Sequence, residues 1–378
     1  MDKERMKEAF QQMLEGIKWT AMSAGKQFPH YADGKTGKWV FSPNGDWTGG
    51  YWCGMNWLAA AATKDVLYHQ WAQKWIGLLD ERVHSRTVFR GFLFYYGAVL
   101  GSILLKDEKA RDLAIRAARS VYSAYDEKAG LIPLGEEAEE ASNVGNAEAN
   151  IDGVCATPLL LWASRETGER SLAEVAIHHA LQHLKLCVRK DGSVCQSATF
   201  DPSGNLVRRY THKGYSEEST WARAQAWAMM HYTVAYQWAP QEKKLLEISL
   251  HVSEWWISHL PEDGVAFWDF DDPEIPHANR DTSATAIAAA ALLKLSHLVG
   301  DEEKSERYKA VALQSIERLV SHYLTPTSKG DGRRPGMLLE GCFNKKLGVA
   351  LESELIWGDY YLLECLSHLL GHTEPTMF

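Results

Sequence analysis

The sequence predicts an all-α fold, an (α/α)6 barrel of six helical hairpins closed into a toroid, on three observations. Apolar residues recur at mixed three- and four-residue spacing through 9–24, 58–79, 92–105, 110–125, 172–188, 223–237, 244–260, 286–298 and 306–323, the mark of helices. Small-residue-rich, strongly apolar helices alternate with charged, amphipathic ones, and a helix apolar all round belongs inside while an amphipathic one belongs outside. The apolar helices follow polar or aromatic leaders at Trp47, Gly91, Asp152, Trp221, Asp281 and Trp357, spaced 44 to 76 residues apart, about a helical hairpin plus a loop. An irregular bundle or an open array would show the same periodicity; closure is the simplest arrangement of six inner and six outer helices.

Strand signals are few. Residues 193–200 and Leu206-Val207, on either side of the turn Asp201-Pro202-Ser203-Gly204, read as a short hairpin. Thr167-Gly168, Val299-Gly300-Asp301 and Leu370-Gly371 close inner helices. No Pro- or Gly-rich linker divides the chain, so residues 1–378 are expected to form one domain.

Composition narrows the function. A net charge of −9 without a long Lys or Arg block argues against nucleic acid as the main partner. The charged start Met1-Asp2-Lys3-Glu4-Arg5 is followed by no apolar run of signal-peptide or membrane-spanning length, so a cytoplasmic protein without a membrane partner is expected. Six scattered cysteines lack a C-x-x-C pair and read as reduced, mostly buried thiols. Fifteen Trp and 15 Tyr, many beside Gly, Asp or Asn, fit sugar binding, where flat rings cover the apolar faces of pyranoses. Such rings can also simply fill a core.

In a toroid the leaders converge on one rim: 44–52, 87–92, 150–153, 211–223, 279–283 and 357–361. Asp152, at the mouth of the apolar run 154–162, has two readings. It can cap a helix, or it can be a general acid whose charged form is disfavoured by apolar walls. Asp46, Asp281 and Asp359 each read as structural caps, Asp281 most clearly because Thr282 and Ser283 follow it. Arg223 and Trp227 share a helix face at i, i+4, either as a packed pair or as a carboxylate-binding guanidinium beside an indole. His179 and His183, with Cys187 one turn on, lack a further ligand and read as a solvated face rather than a zinc site; His212 reads as a surface residue. There is no phosphate loop and no G-x-S-x-G elbow, and no metal or cofactor is expected.

Several motifs together carry a resemblance: Phe28-Pro29-His30, Asp46-Trp47-Thr48-Gly49-Gly50-Tyr51-Trp52, Asp152 with Pro158-Leu159-Leu160-Leu161-Trp162-Ala163, Ser219-Thr220-Trp221-Ala222-Arg223-Ala224-Gln225-Ala226-Trp227, Pro261-Glu262-Asp263-Gly264-Val265, and Ile356-Trp357-Gly358-Asp359-Tyr360-Tyr361. In order, and over nearly the whole chain, they resemble the unsaturated glucuronyl hydrolases of glycoside hydrolase family 88. The resemblance implies an (α/α)6 barrel that removes a 4,5-unsaturated uronic acid from the non-reducing end of lyase-generated oligosaccharides. It further implies that one Asp protonates C4 of the vinyl ether and activates the water that adds at C5, after which the hemiketal opens. Asp152 holds that position, and Trp47, Arg223 and Trp227 hold sugar-binding ones; Trp221 and Trp357, leaders on the same rim, are further candidates for binding the sugar.

The chain departs from the pattern at three places. Phe89, with Arg90 beside it, stands where a second Asp is found; Gln196 stands where a His precedes the Phe-Asp-Pro turn; Lys213 replaces the Gln after Thr-His. If Arg90 and Lys213 point inward, they lower the pKa of the acid and draw more anionic sugars. A non-catalytic sugar-binding protein, or a hydrolase or epimerase of altered substrate on the same scaffold, stays open, as does a monomer or a homodimer.

Overall fold

The computed structural model describes residues 2–378, and its twelve long helices run in the expected alternation. They are α1 (Lys3–Ser23), α2 (Gly49–Thr63), α3 (Val66–Leu79), α4 (90–105, α-helical at both ends around a π-helical stretch Tyr95–Val99), α5 (Glu108–Tyr122), α6 (Ala156–Thr167), α7 (Arg170–Cys187), α8 (Ala222–Trp238), α9 (Lys243–His259), α10 (Thr282–Leu298), α11 (Glu302–Arg318) and α12 (Ile356–Leu369). The even-numbered helices are buried nearly all round and form the inner ring; the odd-numbered ones bury a single stripe. Helix α12 packs against both α10 and α2, which closes the toroid.

The continuous periodicity of 58–79 does not give one helix. Lys64 takes a left-handed conformation (φ 61°) and Asp65 then caps α3, its Oδ1 accepting from Leu67 N at 2.9 Å. The break turns inner α2 back into outer α3. Periodicity is blind to it, because both segments keep the same spacing. Asp107 and Asp301 make equivalent caps for α5 and α11.

Two small antiparallel sheets trim the rim. Strands β1 (Phe28–Ala32), β2 (Trp39–Ser42), β3 (Ala149–Asn150), β4 (Ser197–Phe200), β5 (Leu206–Tyr210) and β6 (Glu354–Leu355) form the orders β2-β1-β6 and β3-β4-β5. The expected hairpin is β4-β5. Its partner β3 pairs Asn150 with Ser197 and so delivers the chain directly into the turn Ile151–Cys155 that carries Asp152. No helix among the described residues is long and apolar enough to cross a membrane, and all six cysteines are free and buried.

Inner helices meet through glycines. A Cβ on Gly91 would lie 2.4 Å from the backbone C and O of Cys155, so only glycine lets the start of α4 touch the turn of Asp152. Gly91→Ala is therefore expected to destabilise the protein by about 1–3 kcal/mol in denaturant titrations. Gly77→Ala, on an exposed helix position with nothing within 4 Å, should raise stability by about 0.5–1 kcal/mol.

Candidate active site

Asp152 sits inside a 3-10 turn, and Asn150 does the capping: its side-chain oxygen accepts the Asp152 N–H at 3.0 Å. The Asp152 carboxyl is thus not consumed by a cap. It is 95% buried, and its Oδ1 has no hydrogen-bond partner. The turn is held from behind by His179, whose Nδ1 accepts from Ile132 N at 3.0 Å, leaving Nε2–H to donate to the Gly153 carbonyl at 2.8 Å. His183 Nδ1 donates to the His179 carbonyl at 2.8 Å. These two histidines are fully buried rather than a solvated face, and burial first of all keeps both neutral, His183 at about 4. Their spacing reflects structural support for the turn.

The carboxyl opens on a small recess walled by Trp47, Phe89, Phe92, Trp221, Trp227 and Phe343, with Glu140, Asp152, Lys213 and Arg223 as its charged groups. Trp227 stacks on His231 with ring planes 7° apart and meets Trp47 edge-on at 6.4 Å. Behind Trp47, His30 bonds Thr48 Oγ1 at 2.8 Å.

The charges are matched in pairs. Lys213 Nζ donates to Glu140 Oε1 at 2.7 Å and Glu139 Oε1 at 3.2 Å, while Glu139 Oε2 accepts from Trp47 Nε1 at 2.8 Å. Arg223 donates to Asp281 Oδ2 at 2.5 Å, to the Cys342 carbonyl at 2.8 Å and to the Phe343 carbonyl, and lies 4.4 Å over the Trp221 ring. The carboxylate that Arg223 binds is the protein's own. Asp281 also caps α10 through Ser283 N and Ala284 N, as expected from the sequence.

Burial, and then the like charge of Glu140, push the Asp152 carboxyl up to about 8, against the pull of Lys213 and Arg223. Burial likewise raises Glu140, while for Glu139 the nearby Lys213 and the Trp47 bond outweigh burial and lower it. Lys213 stays charged, because its two glutamates outweigh desolvation.

Seven of the ten residues singled out from the sequence line the recess: Asp152, Trp47, Phe89, Lys213, Trp221, Arg223 and Trp227. Arg90 does not. Its guanidinium turns outward to the Thr87 and Val83 carbonyls and Ser120 Oγ, and burial lowers it to about 10. Gln196 acts from behind, its Oε1 accepting the Lys213 N–H at 2.9 Å. Trp357 packs under Trp47, ring centres 4.8 Å apart, and donates to Ser283 Oγ at 3.0 Å. Of the two cations expected to depress the acid if they pointed inward, Arg90 faces away, whereas Lys213 faces the recess and does pull Asp152 down, outweighed by burial and Glu140. Asp46 and Asp359 are not caps either. Asp46 has φ 46°, and Asp359 accepts from Leu338 N at 3.1 Å within the first turn of α12. His212 is partly buried, bonded to Ser197 Oγ at 3.1 Å and held neutral.

Sequence reasoning missed Glu139, Glu140 and Phe343. The glutamates belong to Gly135-Glu136-Glu137-Ala138-Glu139-Glu140, which looks like a solvated charge run; the available signal was its place a dozen residues before Asp152. Among the described residues no group of three metal-ligating side chains is found.

The chain matches the model of Glycosyl Hydrolase Family 88 over residues 19–365. An unsaturated glucuronyl hydrolase from Bacillus sp. (strain GL1) is 34% identical over 351 residues, 91% of each chain. An unsaturated chondroitin disaccharide hydrolase from Streptococcus pyogenes serotype M1 is 29% identical over 349 residues, 90% of this chain and 85% of that one. Among solved structures, the unsaturated glucuronyl hydrolase from Streptococcus agalactiae superposes with a TM-score of 0.89 at 26% identity over 100% of this chain and 94% of the other. A mutant of that enzyme complexed with dGlcA-GalNAc6S gives 0.81 at 25% identity, covering 97% and 91%.

Two outcomes follow from the charges. Because Asp152 titrates near 8 in the fold and near 4 when unfolded, the native state keeps a proton that the unfolded chain releases, and stability is lost as pH rises from about 4 to 8. Asp152→Asn should therefore be about 2–5 kcal/mol more stable than wild type at pH 9, the gap closing toward pH 4, in urea titrations across pH. Arg223→Met leaves Asp281 buried and unpaired and should cost about 3–5 kcal/mol; adding Asp281→Asn should recover part of that loss.

Proposed function

The chain belongs to Glycosyl Hydrolase Family 88, and from that membership we propose that Asp152 is the single residue serving it as general acid and then general base. The protein is a glycosidase of the unsaturated glucuronyl hydrolase type, removing an unsaturated uronic acid from oligosaccharides. The observation that carries the role of Asp152 is its setting: a buried carboxyl with a free oxygen on an aromatic recess, where burial favours the protonated form at neutral pH.

The vinyl ether of a 4,5-unsaturated uronide is protonated at C4 by Asp152, which leaves positive charge shared between C5 and the ring oxygen. Water adds at C5 and returns its proton to the Asp152 carboxylate. The resulting hemiketal opens and the aglycone departs, so the sum is the addition of one water and the cycle ends with Asp152 protonated. Trp47, Trp221 and Trp227 supply faces for the sugar. The relative holding dGlcA-GalNAc6S supports an anionic oligosaccharide as substrate. Six free buried cysteines fit a reducing cytoplasm.

Unsaturated uronides absorb in the ultraviolet through their conjugated double bond. Incubation with lyase-generated disaccharides should remove that absorbance, and Asp152→Asn should lower kcat by at least about 100-fold. Calorimetric binding without loss of absorbance across a panel of such sugars would instead favour a non-catalytic sugar-binding protein.

A further inference from the structure

Glu140 has no place in the mechanism above, yet it is the most conspicuous group in the recess. It is 97% buried, twelve residues upstream of Asp152, just before the helical turn Ala141–Val144. Its Oε1 is bound by Lys213 at 2.7 Å, and its Oε2 is buried with no partner. Asp152 Oδ1 is in the same condition, and both residues line the same cavity. Two unpartnered carboxyl oxygens lining one recess share their charge unless a cation assigns it. Here it does: Lys213 gives its bonds to Glu139 and Glu140 and none to Asp152, and Gln196 holds the Lys213 backbone in place.

We propose that Glu140 is a positioning residue for the reaction: bonded by Lys213, whose charge favours its carboxylate against burial, it places a negative charge beside Asp152 and so keeps the transferable proton on Asp152. This rests on the reading of Asp152 as the acid. The other groups around Asp152 do not perform that task. Arg223 is matched by Asp281, Glu139 acts in the same direction as Glu140 but more weakly and is bonded by Trp47 as well as Lys213, His179 and His183 are neutral, and Tyr51, Cys155 and Cys187 are held in their protonated forms by their surroundings, burial foremost for Tyr51 and Cys155. Glu140 is the charge acting most strongly to raise Asp152.

Glu140→Gln removes that charge while Lys213 remains. The alkaline limb of kcat/KM should move to lower pH by about one pH unit, a loss that approaches tenfold above the wild-type midpoint with little change at pH 5. Glu140→Asp, which keeps the charge, should restore the limb. A limb that stays in place in Glu140→Gln, whatever the overall rate, overturns the proposal. The same comparison can be made without turnover, by following the Asp152 carboxyl in protein labelled with 13C-aspartate and assigned with Asp152→Asn. A lower midpoint in Glu140→Gln supports the pair and an unchanged one overturns it, even if the wild type turns over no sugar and the reading of Asp152 as the acid fails. Should Glu140→Gln not fold, the wild-type titration decides: two steps at Asp152, as coupled carboxyls give, support the proposal, and a single step in the ordinary carboxylate range overturns it.

Discussion

Burying a carboxyl among aromatic walls, with one oxygen left facing a recess, is the constraint on which this molecule turns. A buried carboxyl resists ionisation, and the cost of that resistance falls on the fold at neutral pH. The structure meets it with rigidity around Asp152: β3 pairs with β4, Asn150 takes over the cap, His179 holds the Gly153 carbonyl and Gly91 lets α4 close against the turn. None of these groups takes part in the chemistry. Each fixes one degree of freedom of the turn, so that the free oxygen of Asp152 faces the recess.

Charge balance follows from the same constraint. Both cations of the recess arrive already matched, Arg223 by Asp281 and Lys213 by Glu139 and Glu140, and the second glutamate leaves a negative charge near Asp152. Arg223 also ties α8 to the carbonyls of Cys342 and Phe343, so the wall that carries Phe343 is set by a side chain 120 residues away in sequence. The Trp-Ala-Arg-Ala-Gln-Ala-Trp segment that opens α8 thus both lines the recess and ties the fold together.

The toroid was legible because inner and outer helices differ in kind: α10 is Ala-rich and buried throughout, whereas α11 opens with three charged residues. The break at Lys64 was not, since a left-handed turn leaves the apolar spacing intact on both sides. In the site, residues tied to a motif on a helix or its leader were legible, as with Asp152, Trp47 and Trp227. Directions in space were not. Arg90 and Lys213 read alike as cations beside the rim, yet one points outward to carbonyls and the other inward to glutamates. Glu139 and Glu140 were hidden because a run of glutamates ordinarily marks solvent, and only the fold brings this one over the pocket.

A crystal structure of Asp152→Asn with an unsaturated uronyl disaccharide tests the central claim most directly, because it keeps the recess and stops the reaction. The account requires the unsaturated ring among Trp47, Trp221 and Trp227, with the side chain at position 152 within hydrogen-bonding reach of C4 or of the water facing C5. A sugar bound with its double bond turned away from position 152, or outside the recess altogether, would contradict it.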